Sequence, residues 1–330
     1  MKYALVPLGI ALFMAAGLVA GAAMAQNAGP YPARPIRIVV PSAPGGGLDF
    51  VARGVSPRMS ENLGQPIVIE NRPGASGAIG AEVVAKAAPD GYTLLLADNG
   101  ILAINPHVYA KLAVNPMTAL RPVAALTRAA LLLVVNPSVV EARNVNEFIA
   151  VAKRSPGRIS FGSPGTGTPH RLAMELLAMR ASVVFTAIPY NGSAPAIPDL
   201  LAGRIGAMFM TPPAAAPHVS SGRLVTLATL GAQRVEALPA IPTVAESGID
   251  GFDASAWQML AGPAGLAAPV VQLLQRQAAT ALGDAQVKKQ MGDAGYEVIT
   301  GLDGDQLVKR VADEYRQWGE VVRVNKLTPE

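Results

Sequence analysis

The chain has 330 residues, of which 51% are hydrophobic and 15% are charged, and its formal net charge is +4 at pH 7. This length allows two domains with a sizeable core. There is no cysteine, which excludes a disulfide framework, a thiolate metal site and a cysteine nucleophile. The basic residues form no stripe interleaved with aromatic residues, so we expect no nucleic-acid partner.

The first 25 residues have the pattern of a secretory signal peptide. Lys2 gives a positive start, residues 4–21 are almost wholly apolar, and Ala23-Met24-Ala25 has the small-x-small form of a cleavage site. This order predicts cleavage after Ala25 and a periplasmic location for the mature chain. The alternative is an uncleaved membrane anchor, because the apolar run is long enough to span a bilayer.

A glycine-rich loop follows the first predicted strand. The β-branched run at residues 36–40 leads into the proline and glycine residues of 41–47, and a helix is predicted from Asp49. Residues without side chains let backbone N–H groups point at a bound molecule, and the helix dipole favours an anion there. We therefore predict an anion pocket at this loop.

Strands and helices alternate along the next part of the chain. Residues 67–70 and 92–97 are predicted strands, with a helix through residues 79–84 between them. This alternation predicts a parallel sheet covered by helices on both faces. Two further strands, 123–126 and 131–135, have almost no turn between them, which is consistent with a crossing from one lobe to another.

A second glycine loop follows this crossing. The strand at residues 159–162 leads into the loop 163–168, and a helix is predicted from Pro169. Two loops of this design predict two lobes, each presenting a helix N-terminus to one ligand. In open α/β sheets the ligand lies beyond the carboxyl ends of the strands, where both loops fall.

The lobes are predicted to be joined by two crossings. The strand at residues 224–229 would carry the chain back, and helices around 270–282 and 306–324 would rejoin lobe one. The predicted division is residues 26–127 plus 229–330 for lobe one and residues 128–228 for lobe two. A hinge at the two crossings, near Thr127 and Thr229, would allow the lobes to close on a ligand.

Motifs for catalysis or cofactor binding are missing from the sequence. The third glycine of a dinucleotide motif would fall at Phe50 in the first loop and at His170 in the second, and neither loop has the P-loop form. No serine has the glycine spacing of a nucleophile elbow, and the three histidines have no metal-ligand spacing. We therefore expect a protein that is not an enzyme and that has no cofactor and no metal.

Three single residues each allow two interpretations. Asp49 either caps the helix and stabilises the loop or contacts a ligand through water. His170, at the start of a helix, either contacts the ligand or packs near the helix end. Tyr190, at a strand end, either contacts the ligand or lines the cleft.

Several short motifs in order resemble the Bug family, the extracytoplasmic solute receptors of tripartite tricarboxylate transporters. The matching segments lie at residues 31–36, 43–49, 70–75, 89–94, 162–170, 189–192, 199–203 and 242–246. The resemblance covers almost the whole mature chain. It implies an α/β fold with two lobes, a type II-like periplasmic-binding-protein or Venus flytrap fold, with a small carboxylate bound in the cleft.

The resemblance also implies which residues hold the carboxylate. Backbone N–H groups of both loops, together with ordered waters, would hold one carboxylate, and other cleft residues would set specificity. The residues that would hold the carboxylate from lobe one are Ser42, Ala43, Pro44, Gly45, Gly46, Gly47 and Asp49. Those from lobe two are Ser163, Gly165, Thr166, Gly167, Thr168 and His170, and Tyr190 and Asn191 would line the cleft.

One position departs from the family pattern. Many relatives carry an aspartate where this chain has Met210. Without that acid no anchor for an ammonium group is evident, which argues against amino-acid ligands and favours a longer dicarboxylate or an aromatic acid. Asp98, at a strand end in lobe one, would restore a carboxylate if it faced the cleft.

The expected function is capture of a small carboxylate and its delivery to the membrane permease of a tripartite tricarboxylate transporter. An alternative is a receptor that presents the ligand-bound form to a signalling system. An exported enzyme is the third possibility, but it needs a nucleophile, a metal or an acid–base pair. We expect the protein to act as a monomer.

Overall fold

The structure is a computed structural model and describes residues 31–190, 192–235, 238–302 and 304–327. The predicted signal peptide, residues 1–25, and Asn191 lie outside these ranges. The strands of the described chain are β1 (Ile36–Val40), β2 (Ile67–Asn71), β3 (Thr93–Asp98), β4 (Leu120–Ala129), β5 (Leu132–Val135), β6 (Ser160–Ser163), β7 (Thr186–Pro189), β8 (Ala207–Met210), β9 (Val225–Thr229), β10 (Ala256–Pro263) and β11 (Tyr296–Val298).

Helices connect most of these strands. The α-helices of the described chain are α1 (Gly47–Leu63), α2 (Ala78–Ala85), α3 (Asn105–Val108), α4 (Pro116–Ala119), α5 (Val145–Arg154), α6 (Pro169–Ala181), α7 (Ala196–Leu201), α8 (Pro212–Ser220), α9 (Ala268–Gly283), α10 (Ala285–Asp293) and α11 (Gly304–Asn325). A 3₁₀ turn at Ala75–Gly77 precedes α2, and a π-helical segment at Gly100–Ile104 precedes α3. No helix in the described part is long and apolar enough to cross a membrane.

The described strands form two sheets, one in each lobe. The six-stranded sheet has the order β11-β4-β10-β3-β1-β2, and the five-stranded sheet has the order β7-β6-β8-β5-β9. Strand β1 pairs in parallel with β2 and β3, and β6 pairs in parallel with β7 and β8. Each lobe is therefore built on a parallel βαβ unit, as the alternating pattern predicted.

Both sheets are mixed rather than purely parallel, which corrects the prediction from the sequence. Strand β10 runs antiparallel to both β3 and β4, and β5 runs antiparallel to both β8 and β9. The reason is the path of the chain between the lobes: the strand that returns from lobe two inserts into the middle of the first sheet in the opposite direction.

The two crossings lie next to each other. Strand β4 continues through Thr127, whose hydroxyl donates to Gln258 Oε1 on β10 over 2.7 Å, and ends at Ala129. The Leu230 N–H donates to the Leu131 carbonyl over 3.2 Å, which joins the outgoing and returning segments. We therefore propose residues 130–131 as the first crossing and the segment after Thr229 as the second; the predicted division into lobes otherwise stays a prediction.

Apolar side chains at helical and strand spacing form the core. Val51, Val55 and Met59 of α1 are each at most 2% exposed and lie on one face of the helix, because residues four apart are neighbours on a helix surface. They pack in the same buried cluster as Ile38 of β1 and Leu94 of β3. This packing fixes α1 on the sheet and its N-terminus at the carboxyl end of β1.

Candidate ligand site between the lobes

The first glycine loop lies between β1 and α1 and contains the predicted residues from Ser42 to Gly47. Gly45 has a φ of 79°, a left-handed conformation that favours glycine. The Gly46 N–H donates to the Ala43 carbonyl over 3.2 Å, and Gly46 is the N-cap residue of α1 with no side-chain cap in the described chain. The first N–H groups of the helix therefore remain available, as in anion sites at helix N-termini.

Asp49 stabilises this loop from the first turn of α1. Its Oδ2 accepts hydrogen bonds from the Gly45 N–H and from Arg53 Nε, both over 2.9 Å, and its Oδ1 accepts from Asn71 Nδ2 over 2.9 Å. The bond from Arg53 contributes most to lowering the pKa of Asp49, to about 2. The side chain thus has the loop-stabilising contacts of the first interpretation, and a ligand contact through water stays a prediction.

The second glycine loop lies between β6 and α6. Thr168 is the N-cap residue of α6: its Oγ1 accepts from the Arg171 N–H over 3.4 Å and its hydroxyl donates to the Gly165 carbonyl over 2.7 Å. The Gly165 N–H donates to Oγ of the buried Ser163 over 3.4 Å. These bonds close the loop against the start of the helix.

Each loop contains a buried hydroxyl oxygen that has no hydrogen-bond partner among the described residues. These oxygens are Ser42 Oγ in lobe one and Thr166 Oγ1 in lobe two. An unsatisfied buried polar group costs about 1–3 kcal/mol, so each of these hydroxyl groups is a candidate hydrogen-bond partner for a bound molecule. Ser42 Oγ lies 3.4 Å from the position of a Cβ built on Gly46, next to the start of α1.

The end of β3 brings a third segment to the lobe junction. A Cβ built on Gly100 would lie 3.1 Å from both the Gly167 carbonyl oxygen and Pro169 Cδ of lobe two. Two residues earlier, Asp98 accepts a hydrogen bond from the Ile101 N–H at its Oδ1 over 3.0 Å. Burial raises the pKa of Asp98 to about 6. The segment that contains this acid therefore lies against the second glycine loop.

His170 lies in the first turn of α6 and is partly buried. This burial lowers its pKa to about 4, so the imidazole is neutral at neutral pH. Positive potential at the loop therefore comes from the helix N-terminus rather than from this side chain. A ligand contact by His170 stays a prediction.

The remaining predicted residues lie further along lobe two. The Tyr190 hydroxyl donates to Asp199 Oδ2 over 2.8 Å, and burial raises the pKa of Tyr190 to about 12. Met210 is 2% exposed and packs with Leu132 and Met208 in the core of lobe two. The cleft-lining roles of Tyr190 and Met210 stay predictions, and that of Asn191 falls outside the described residues.

Four residues at the lobe junction were not predicted. Ser76, Asn105 and Tyr109 of lobe one lie against Gly167, and the Tyr296 hydroxyl would lie 2.4 Å from a Cβ built on Gly47. Ser76 follows directly after the segment 70–75 that carried part of the resemblance, which is the one signal that pointed toward it. The other three reach the junction by tertiary packing.

A groove of about 1050 Å³ is lined by residues of both lobes but by no residue of the two glycine loops. Tyr296 stands between this groove and Gly47. Other residues that line it are Arg128, Leu132, Pro212, Val219 and Leu238. The groove joins apolar side chains of lobe two to the edge of the first sheet. Among the described residues, no group of histidine, aspartate and glutamate side chains is arranged to hold a metal ion.

Two sheets joined by two crossings, with the second glycine loop of one lobe packed against Gly100 and Asn105 of the other, define a two-lobed α/β fold of the periplasmic-binding-protein type. Residues 51–327 match the profile of the tripartite tricarboxylate transporter family receptor. The chain belongs to this family, which confirms both the resemblance and the predicted fold.

Known relatives are similar along nearly the whole chain. Protein BugT of Bordetella pertussis is 36% identical over 315 residues, which cover 95% of each chain. The structure of Rpa4515 from R. palustris with adipate has a TM-score of 0.80 at 33% identity and covers 91% of this chain and 100% of that one. The structure of MatC from Rhodopseudomonas palustris with bound malate has a TM-score of 0.77 at 31% identity, covering 88% and 100%.

Proposed function

We propose that this protein captures a small carboxylate between its two glycine loops and delivers it to the permease of a tripartite tricarboxylate transporter. The observation that carries the proposal is the pair of buried, unpaired hydroxyl oxygens, Ser42 Oγ and Thr166 Oγ1, one on each loop. A carboxylate offers two acceptor oxygens, and each hydroxyl has a proton to donate. A signal peptide and a periplasmic location belong to the same proposal.

The local electrostatics also support an anionic ligand. Helices α1 and α6 both begin at the glycine loops, and a helix N-terminus carries a partial positive charge of about half a unit. His170 is neutral at neutral pH, and Asp49 is already bonded to Arg53 and Asn71. The carboxylate would therefore be held by N–H and O–H donors rather than by a full ion pair.

We further propose a dicarboxylate or an aromatic acid rather than an amino acid. Met210 offers no charge to an ammonium group, in agreement with the sequence interpretation. The relatives solved with adipate and with malate hold dicarboxylates. Asp98 is the acid closest along the chain to the junction segment at Gly100, and Asp98 or Asp49 would be the partner of the ammonium group of an amino-acid ligand.

Calorimetric titration of the protein from Gln26 onward tests the proposal. The panel consists of adipate, malate, a tricarboxylate, benzoate, nicotinate and aspartate. Thr166→Val and Ser42→Ala should each weaken binding of the best ligand by about 10- to 100-fold, because hydrogen bonds to charged groups contribute about 1.5–3 kcal/mol. Thr300→Val, at an exposed threonine, is the control and should bind as the unaltered protein does.

No heat of binding from any carboxylate in this panel would refute the proposed ligand class. Binding of aspartate alone would refute the preference for ligands without an ammonium group. Delivery is tested separately by deleting the gene and measuring uptake of the ligand. Unchanged uptake together with lost induction of ligand-responsive genes would instead establish a sensory role.

A further inference from the structure

The second glycine loop packs directly against three side chains of lobe one. A Cβ built on Gly167 would lie 2.3 Å from Asn105 Oδ1, 3.0 Å from Tyr109 Cε2 and 3.3 Å from Ser76 Cβ. These are the three nearest atoms, and all three belong to lobe one although Gly167 belongs to lobe two. The shortest distance is below those that real Cβ atoms adopt, so a side chain at residue 167 would require the Asn105 side chain, which is bonded to the Ser76 carbonyl, to move.

Within lobe one, Asn105 and Tyr109 are both hydrogen-bonded to Ser76. Ser76 Oγ and the Tyr109 hydroxyl are 2.8 Å apart, and Asn105 Nδ2 donates to the Ser76 carbonyl over 2.9 Å. Asn105 is fully buried, and its Oδ1 has no hydrogen-bond partner among the described residues. This unpaired acceptor is the atom nearest to the Cβ position built on Gly167.

The backbone around Ser76 has an uncommon conformation. Ala75 and Ser76 have φ values of 46° and 48°, in the left-handed region that residues with a Cβ rarely adopt. Such conformations cost about 1–3 kcal/mol each and persist where the surrounding contacts fix them. The bonds to Asn105 and Tyr109 provide such contacts within lobe one.

Lobe one also has a glycine at this contact, Gly100. A Cβ on Gly100 of lobe one would lie 3.1 Å from the Gly167 carbonyl oxygen and from Pro169 Cδ. A Cβ at Gly100 would require its neighbours to shift by a few tenths of an ångström, so a small residue suits this position as well. Each lobe therefore has a glycine at the point of closest approach, Gly100 in lobe one and Gly167 in lobe two.

We propose that Ser76, Asn105 and Tyr109 form a seat that positions the second glycine loop when the lobes close, and that closure requires glycine at position 167. The inference rests on the proposed function, because it concerns the loop that would hold the carboxylate. The three residues of the seat are positioning residues, since they act on the loop and not on the ligand.

The first test is Gly167→Ala, with Gly283→Ala as the matched control. Neither glycine has a φ in the left-handed region, and a Cβ on Gly283 would meet nothing within 4 Å. Spin labels are attached at Asn62→Cys and Arg180→Cys, both exposed and on different lobes, in a chain with no cysteine of its own. With adipate or malate as the probe, the label distance should shorten in the control and stay unchanged in Gly167→Ala, whose affinity should fall at least tenfold.

The second test separates closure from a direct effect on ligand contacts. Asn105→Ala removes the atom nearest to the new methyl group, so adding it to Gly167→Ala should restore part of the closure and part of the affinity. A lost ligand contact would not be restored in this way. If Asn105→Ala does not fold, Asn105→Ser is used. Closure of Gly167→Ala equal to that of Gly283→Ala, or no restoration in the double variant, would overturn the proposal.

The third test needs no ligand. A Cβ on Gly165 would lie 3.6 Å from Ser76 Oγ, the position that the sulfur of Ser76→Cys would take. The φ of 140° at Gly165 strains any side chain there, but this strain is common to both disulfide variants compared below. Ser76→Cys with Gly165→Cys should therefore form an intramolecular disulfide on oxidation, and adding Gly167→Ala should slow its formation at least tenfold. An equal rate refutes the seat. A slowed rate in a protein that binds no carboxylate refutes the proposed function and leaves the seat intact.

Discussion

The side-chain amide of Asn99 donates a hydrogen bond to Glu314 over 2.8 Å, although the two residues are 215 positions apart in the chain. The same carboxylate accepts from Trp257 Nε1 over 2.7 Å and from Arg310 Nε over 3.2 Å. Asn99 directly follows β3, and it also donates to the Ser255 carbonyl over 3.1 Å, just before β10. Helix α11 is thereby bonded to the junction segment and, through Trp257, to β10.

Replacement of Glu314 should destabilise the protein strongly. Burial raises the pKa of the Glu314 carboxyl. Glu314→Ala would leave the buried Trp257 Nε1 without its acceptor and would remove one acceptor each from Asn99 and from the partly exposed Arg310. We expect a loss of about 1–3 kcal/mol in the free energy of unfolding, the usual cost of leaving a buried donor without its partner, measured by urea denaturation. Glu320→Ala, at an exposed position on the same helix, should change it by less than about 0.5 kcal/mol. Similar values for both variants would contradict this account.

Replacement of Asp49 should lower stability in the absence of any ligand. Asp49→Ala removes the acceptor for Gly45, Arg53 and Asn71, and we expect a loss of about 2 kcal/mol or more. Because the folded pKa is lowered to about 2, this contribution is present at neutral pH and is lost as the pH falls from about 4 toward 2. Urea denaturation at pH 7 and pH 3 measures both effects.

Asp250→Ala, which alters an exposed acid, is the matched control for Asp49→Ala. A variant of Asp49 that bound ligand weakly but unfolded like the control would establish the alternative role, a ligand contact through water.

Asp98 and His170 should give the stability opposite dependences on pH. The pKa of Asp98 rises from 3.8 to about 6 on folding, so its contribution is present below about pH 4 and is lost as the pH rises to 6. The pKa of His170 falls from 6.5 to about 4, so its contribution is present above pH 6.5 and is lost as the pH falls to 4. Each pKa unit corresponds to about 1.4 kcal/mol, which gives each residue a change of about 3 kcal/mol.

Unfolding free energies at several pH values between 4 and 7.5 test this pair. Relative to the unaltered protein, Asp98→Asn should gain stability as the pH rises through this window, and His170→Gln should gain it as the pH falls. His218→Gln, which removes an imidazole from α8, is the control. Parallel curves for all four proteins would refute the assignment.

The contact between Gly47 and Tyr296 predicts a coupled pair of substitutions. A Cβ on Gly47 would lie 2.4 Å from the Tyr296 hydroxyl oxygen, and the tyrosine ring is held by stacking on Phe50 with ring centroids 5.7 Å apart. Gly47→Ala should therefore cost about 1–3 kcal/mol of stability. Tyr296→Phe removes the oxygen and should recover much of this loss in the double variant. Additive effects in the double-mutant cycle would show that the two residues do not meet.

The sequence was informative where structure follows from local pattern. The strand, glycine loop and helix at residues 36–63 were predicted because β-branched runs, glycine and proline, and the spacing of Val51, Val55 and Met59 act over a few positions. The second loop before α6 was predicted for the same reason. These two segments also led to the proposed anion site.

Strand β10 and the mixed sheets were not predicted from the sequence. Residues 256–263 are buried on both faces, so they show no alternation that would distinguish a strand from a buried helix segment. Their antiparallel pairing with β3 and β4 depends on where the returning chain enters the sheet. That entry point is a property of the whole fold.

The sequence by itself determined the family, the two-lobed fold class and the two glycine loops, because motifs, periodicity and turn residues are local. Tertiary structure decided that Asp49 bonds Asn71, that Glu314 reaches Asn99 and that Gly167 lies against Asn105. Each of these pairs joins residues far apart in the chain. The choice of partner depends on which strands become neighbours and how closely the lobes approach, and the local propensity of neither residue specifies it.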